Sequence, residues 1–444
     1  MWLAEAGGLR ILFDPLLGET YHDGVFEVVP RRRVDIDALR PDLVVVTHRH
    51  PDHFDIDSLD QLAQRYPQAV VLTADVLVGE TCQKLGFAHV SLLGDWQHLA
   101  LDGVDLLTTP SYCSVDEWGI LVATGDGVVW NQVDTELGQK VRPVLARAAE
   151  ILQRPAIADG LSLAIARWQP LLQVDAVLGR ATNFPTRTYA AELNRIAACR
   201  AQAIIPGAAG SQVVGHGRWL NAFAYPVSPA RLARDLARRC PEAAIYPARP
   251  GARWRLHAGA VAPDTDSTLV EVLETDDQRS FRPLSLPPLT DPDPKGIGDA
   301  ALLAAIAPWV QGSLARPVGE RIAPLGGGVV ALEVVFPSGH EETWTLEVSA
   351  DAIRVTRGAV AEPDLINQIA ASDLVDVIAG EAHWGRPLLS GRLRSVGALY
   401  TVGPEGLEAM RLPPFFLYLA LPYAEATARW VSHAVQRSLS SRAP

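Results

Sequence analysis

Residues 43–53 read Leu43-Val44-Val45-Val46-Thr47-His48-Arg49-His50-Pro51-Asp52-His53. Four consecutive aliphatic residues suit a strand buried on both faces. Residues 56–66 then show helical spacing of Ile56, Leu59 and Leu62-Ala63, so the polar run between lies on a strand-to-helix loop. Residues two apart on an extended loop project the same way, so His48 and His50 can present imidazoles to one cation. Asp52 and His53 fall at the helix start and turn toward a second. Imidazole with carboxylate suits zinc, iron or manganese. One such cluster cannot complete a coordination shell, so more ligands are expected from later strands. Three of the chain's eleven histidines fall in this short run beside an aspartate, a concentration that a plain polar surface loop does not explain.

Working outward, residues 9–13 form a short apolar run ending at Asp14-Pro15. Further strand candidates are 69–72, 104–108, 119–124, 128–130 and 203–205. Helical patterns cover 140–152, 190–199 and 229–239. Strands alternating with helices predict an α/β domain. Near residue 261 the texture changes, and 284–295 is dense in proline and charge, which reads as an exposed connector. Beyond it, 297–309 reads as helix and 329–336, 343–348 and 352–355 as a small antiparallel sheet. Residues 365–378 read as helix, and 415–440 as one or two helices. The expected organisation is a metal-binding domain at 1–260, a linker at 261–295 and a smaller α+β accessory domain at 296–444.

A chain of 444 residues exceeds one ordinary core, which agrees with two domains. Hydrophobic residues make up 48% and charged residues 20%, enough for a large buried interior. A formal charge of −12 and a pI near 5.4 argue against nonspecific binding to nucleic acid or to anionic membranes. Cys82, Cys113, Cys199 and Cys240 form no CxxC pair, and scattered cysteines suit a reducing compartment. The opening Met1-Trp2-Leu3-Ala4-Glu5 does not read as a signal peptide, and no run approaches the ~20 apolar residues that cross a bilayer. The expectation is a cytoplasmic protein with a small-molecule substrate and with neither a nucleic-acid nor a membrane partner.

The segment His48-x-His50-x-Asp52-His53 resembles the signature of the metallo-β-lactamase superfamily, and Phe13-Asp14-Pro15 resembles that family's turn with an Asp beneath the metal site. The resemblance implies an αββα sandwich. It also implies a bridging carboxylate, for which Asp134 after the strand at 128–130 is the match; capping of the next helix is the alternative role. The family's next histidine is absent from 109–114, where Cys113 offers a thiolate, a ligand type for zinc and iron, or else is a structural cysteine. Asp116 and Glu117 are oxygen donors nearby. The final histidine matches His216, between Gly215 and Gly217. Within the superfamily, Asp14-Pro15-Leu16-Leu17-Gly18, Trp96-Gln97, Val133-Asp134-Thr135, Asn183-Phe184-Pro185, the stretch 208–216 and residues 247–252 resemble the CMP-N-acetylneuraminate hydroxylase family. That family's Rieske domain has no counterpart in the spacing of cysteines and histidines here. Residues 374–393, with Trp384, loosely resemble a sterol-carrier-protein-like domain.

Two chemistries follow. In a hydrolase, one or two divalent ions (zinc, iron or manganese) convert bound water to hydroxide, and Asp52 orients that nucleophile or takes its proton. Arg49, Arg180, Arg187 and Arg249 are candidates for holding an anionic substrate, with Arg49, Arg180 and Arg249 the preferred set. In a non-heme di-iron oxygenase, the same ligands hold iron and a separate reductase supplies electrons. Hydrolysis is the commoner chemistry on this fold and leads. A non-catalytic metal- or ligand-binding protein is the third reading.

Overall fold

Gly7 and Gly8 join the first two strands, Trp2–Ala6 and Leu9–Phe13, in a two-residue turn with φ of 57° and 82°. Two positive φ values make a type I′ turn, whose twist matches the strands and which glycine enters without steric penalty. In the computed structural model the chain is described over residues 1–168, 172–180, 182–207, 210–223, 226–281, 287–314, 328–349, 352–360, 362–397, 400–409 and 423–441. It divides into two units, Met1–Phe281 with Val402–Gly406, and Arg282–Thr401 with Leu407–Pro444.

In the first unit, the hairpin is extended by parallel strands Leu43–Val46, Val70–Thr73 and His89–Leu92 into a five-stranded sheet. The alternation along these strands decides what each side chain meets. Leu12, Val44, Val46 and Val71 pack with Leu59, Leu62, Val78 and Cys82 of the helices Ile56–Arg65 and Val76–Leu85. Ile11, Phe13, Val45 and Leu72 pack with Leu106, Trp118, Ile120 and Val122 of a second sheet. That sheet has seven strands in the order Ala244–Ile245, Ala203–Gly207, Leu163–Arg167, Gly127–Asn131, Trp118–Thr124, Val104–Pro110 and His98–Leu101. Helices Val141–Ile151, Thr186–Ala197 and Pro229–Arg239 bury Leu145, Leu193 and Leu236 on it. The layers run helix, sheet, sheet, helix, which is the expected αββα sandwich. Both sheets contain parallel strands, and loops at the carboxyl ends of such strands are where ligand sites collect.

The first unit extends past the expected boundary at 260. Residues 261–281, read from sequence as connector, contribute strand Ala260–Asp264 paired with Arg253–His257, and Val270–Val272 paired with Arg32–Val34. The hairpin turn is Ala258-Gly259, with φ of 49° and 82°. It is type I′ without the Asn-Gly or Asp-Gly pair that announces such turns. Residues 282–286 of the connector and residues 208–209 of the hydroxylase resemblance lie outside the described residues.

The second unit is α+β. Its sheet runs Ile353–Arg357, Glu341–Val348, Gly328–Val335, Leu365–Ala370, Leu393–Gly397. It is mixed rather than antiparallel, because Gly328–Val335 and Leu365–Ala370 are parallel. Residues 365–378, read as one helix, are a strand followed by helix Ala371–Ile378. Leu365, Ile366, Ile369 and Ala370 are all buried, and a short apolar run carries no periodicity that separates strand from helix. Of the expected tail at 415–440, the part up to 422 lies outside the described residues and Tyr423–Ser440 is one helix. Asn367 stands in this unit at 0% exposure, and neither its Nδ2 nor its Oδ1 finds a protein partner among the described residues. A buried unpaired amide costs about 1–3 kcal/mol. Asn367→Leu is therefore expected to raise the urea midpoint by a stability gain of about 1–3 kcal/mol, and a loss instead would show that the amide is engaged.

All four cysteines are free thiols. Burial pushes the Cys82 and Cys199 thiols up to about 12 and Cys240 up to about 11. At pH 8 a thiol titrating near 12 is thiolate in only about one part in 10⁴, and thiolate is the nucleophile. The folded protein is expected to leave these three unmodified by iodoacetamide over a period in which a denatured sample alkylates fully, read by mass spectrometry. Among the described residues, no helix is long and apolar enough to cross a membrane.

Candidate metal centre

Strand Leu43–Val46 ends in Thr47, whose backbone N–H and Oγ1 both donate to Asp14 Oδ1, at 2.8 and 2.9 Å. Asp14 follows strand Leu9–Phe13, the parallel neighbour, and sits at φ 44°. A buried carboxylate thus ties two adjacent strand ends together at the level where the motif begins. The loop then closes with the His53 and Phe54 amides both donating to the His50 carbonyl, at 2.9 and 2.8 Å. Asp55 caps helix Ile56–Arg65 and accepts from the Ser58 amide, which fixes the far end.

Within this frame, His48 Nε2 and His50 Nδ1 stand 2.7 Å apart. His53 Nε2 lies 3.3 Å from Asp52 Oδ2 and 3.5 Å from Asp134 Oδ2. Two triads result, His48–His50–Asp134 and Asp52–His53–Asp134, and within each the candidate ligand atoms lie within 4.8 Å of one another. Asp134 belongs to both. The opposite nitrogens of two imidazoles face carboxylates: His53 Nδ1 is 3.0 Å from Asp14 Oδ2, and His48 Nδ1 is 3.8 Å from Glu117 Oε2. A carboxylate behind a metal-binding histidine fixes its ring and raises its basicity.

The electrostatics agree with a cation site. Burial disfavours a charged His53, yet Asp14, Asp134 and Asp52 overcome it and hold the imidazolium well above its usual range. Burial likewise opposes ionisation of Asp134, but His53, Arg167 and His48 keep its carboxyl below the usual range. His48 shifts the other way, because burial and the neighbouring His53 both disfavour its charge. Four carboxylates, Asp14, Asp52, Glu117 and Asp134, surround the imidazoles. A divalent transition metal would displace the His53 proton and balance that excess of negative charge, since imidazole nitrogen and carboxylate oxygen are its donor types.

Asp134 itself sits on a strained turn. Val133 has φ 53°, a left-handed conformation that a β-branched residue enters at a cost of order 1–3 kcal/mol. Asn131 Oδ1 accepts from the Val133 amide at 3.3 Å, and Arg167 Nη1 donates to the Asp134 carbonyl at 2.6 Å.

Other expected site residues lie elsewhere. His216 is exposed in the 3₁₀ turn Gly215–Ala222 and joins neither triad, because the turn that follows strand Ser211–Val213 carries it into solvent. Cys113 also stays out of both triads. Its thiol donates to Glu117 Oε1 at 3.1 Å and to the Val115 carbonyl at 3.3 Å. Desolvation first, and then Glu117, push that thiol up from its usual range. Cys113→Ser is expected to leave cation affinity within about twofold of the parent, measured by chelator competition, because Cys113 is not a direct partner of any candidate ligand and Ser111 Oγ still donates to the Glu117 carboxylate that it contacts. Glu117 is the buried group of this segment. Only its proximity in sequence marked it, since a lone glutamate has no pattern.

The three arginines proposed for substrate already have carboxylate partners. Arg49 donates to Asp75, which caps helix Val76–Leu85, so it braces the motif loop. Arg249 forms a bidentate pair with Asp266, at 2.6 and 2.7 Å, and Arg180 lies 3.5 Å from Asp175. All three are exposed. The arginine that does reach the centre is Arg167, at the end of strand Leu163–Arg167.

Comparison of the sequence with curated proteins gives no match. Among solved structures, the chain is similar to Igni18, a metallo hydrolase from Ignicoccus hospitalis, at 15% identity and TM-score 0.36 over 56% of this chain and 91% of that one. It is similar to CmlA, a diiron β-hydroxylase from Streptomyces venezuelae, at 16% identity and TM-score 0.33 over 47% of this chain and 42% of that one, less than half of CmlA. It is also similar to Sterol Carrier Protein 2 Like 2 from Aedes aegypti, at 20% identity and TM-score 0.18 over 21% of this chain and 86% of that one. Residues 1–137 match the family model of the Beta-lactamase superfamily domain, and the first unit carries the metallo-β-lactamase fold.

Proposed function

We propose that this protein is a metal-dependent hydrolase acting on a small molecule with a polarisable acyl or phosphoryl centre. The observation that supports this reading is the pair of triads sharing Asp134. His48, His50 and Asp134 would hold one cation, and Asp52, His53 and Asp134 a second. When bound, a divalent cation lowers the pKa of its water toward ~7 and polarises the substrate oxygen. The chain's own groups do the rest. Asp52 is the most exposed of the triad carboxylates, with its side chain 47% accessible, so it is the one placed to receive a proton from the solvent side. Asp14 faces the ring of His53 from behind, and Thr47 Oγ1, which donates to Asp14, meets His48 Nδ1 at 3.1 Å. An anionic substrate is no longer favoured by Arg49, Arg180 or Arg249, whose charges are already met.

A second reading is a non-heme di-iron oxygenase fed by a separate reductase. Glu117 favours it: a buried carboxylate stands beside His48, and no third histidine joins either triad among the described residues. Two histidines with one carboxylate, the composition of the His48–His50–Asp134 triad, suit non-heme iron. The test is metal content of protein purified without added metal, followed by ester and phosphodiester probes and by oxygen uptake after reduction. Zinc with turnover of a hydrolytic probe supports the first reading. Two irons with reductant-dependent oxygen consumption overturn it in favour of the second. Protein that takes up no metal overturns both and leaves a binding protein.

A further inference from the structure

The turn that presents Asp134 is held by a network reaching well behind the centre. Arg195, in helix Thr186–Ala197, is 8% exposed. Its Nη1 donates to Gln132 Oε1 at 2.6 Å, and its Nη2 donates to the Arg167 carbonyl. Glu192 Oε2 accepts from Nε at 3.1 Å and from Nη2 at 2.6 Å. Gln132, 0% exposed, also donates to Cys199 Sγ at 3.1 Å, and its carbonyl accepts from Thr135 Oγ1 at 2.7 Å. The Gln132 amide continues the strand pairing by donating to the Ile165 carbonyl at 3.1 Å. Arg167, whose carbonyl Arg195 grips, extends its own guanidinium to the Asp134 carbonyl.

One buried guanidinium therefore fixes both sides of the turn 131–135. It grips the residue before strained Val133, and it grips the strand end whose side chain holds the residue after it. A left-handed β-branched residue persists only where its surroundings over-determine it. Burial of an arginine is costly unless its fork is fully used, and this fork is used on Gln132, Arg167 and Glu192 together. A lysine carries the charge but not the fork.

We propose that Arg195 is a positioning residue for Asp134, acting through Gln132 and Arg167 to hold the strained turn so that this carboxylate reaches both triads. The inference rests on the metal reading of the centre. It is tested with Co²⁺, whose visible absorption reports ligand geometry and whose affinity is read by competition with a chelator. Arg195→Met is expected to weaken Co²⁺ binding by about 10–100-fold and to alter the visible bands, the size typical of losing an outer partner of a ligand. Arg195→Lys is expected to recover only part of that loss. In an Asp134→Ala background, Arg195→Met is expected to produce no further weakening, because the two act as one unit. Gln132→Leu, which leaves the Arg195–Glu192 pair intact, carries the same expectation should Arg195→Met fail to fold. Affinity within twofold of the parent overturns the proposal, as does equal weakening with and without Asp134. A parent that binds no Co²⁺ overturns the metal reading as well, so the two failures are told apart.

Discussion

Asp134→Ala is expected to lose more than about 100-fold in divalent-cation affinity while the fold survives. Loss of a mere outer partner costs 10–100-fold, and Asp134 is the one carboxylate common to both triads. Without it, His48 with His50 and Asp52 with His53 are left as two-donor sets. The side chain is 37% accessible and packs no core, so the fold should survive with a lower stability at neutral pH, because the carboxylate that faces His53 is gone. Metal content after dialysis against a weak chelator, with far-ultraviolet circular dichroism as the fold control, reads both. Full occupancy in the variant would remove Asp134 from the ligand set and return it to a role as a loop residue.

Trp118→Ala is expected to destabilise the first unit by about 3–5 kcal/mol, the usual penalty for deleting a buried indole. Trp118 is 1% exposed and lies where Phe13, Val45 and Leu72 of one sheet meet Ile120 and Val122 of the other. Its Nε1 donates to the Leu93 carbonyl at 3.0 Å, so truncation also leaves that acceptor unpaired. Folded domains hold only about 5–15 kcal/mol in all, so this is a large share. Urea denaturation should show a lower midpoint at unchanged slope. A loss under about 1 kcal/mol would mean that the two sheets do not pack around this ring.

The fate of the arginines and histidines shows why sequence order is a weak guide to a site. Arg49 is placed inside the motif, but Asp75 of the next strand-to-helix loop takes its charge. His216 follows a strand in the expected order, yet a strand's position does not fix where the loop beyond it aims. Arg167 and Arg195 carry no motif. Their relevance appears only once parallel pairing sets Asn131 beside Ile165, which brings the end of that strand level with Asp134.

By itself, the sequence determined the local half of the centre. Four aliphatic residues dictate a buried strand, and the HxHxDH spacing follows it directly, so backbone geometry alone delivers His48, His50, Asp52 and His53 to one place. Alternation of strands and helices likewise marked the first unit as α/β. The resemblance already put Asp14 beneath the site; tertiary structure alone decided that Glu117 lies 3.8 Å from His48, that Cys113 and His216 stay apart from both triads, and that residues 365–370 are a strand. The reason is physical. Neighbours within a loop are fixed by bond geometry, whereas partners a hundred residues away are fixed by sheet register and by the burial that enforces it.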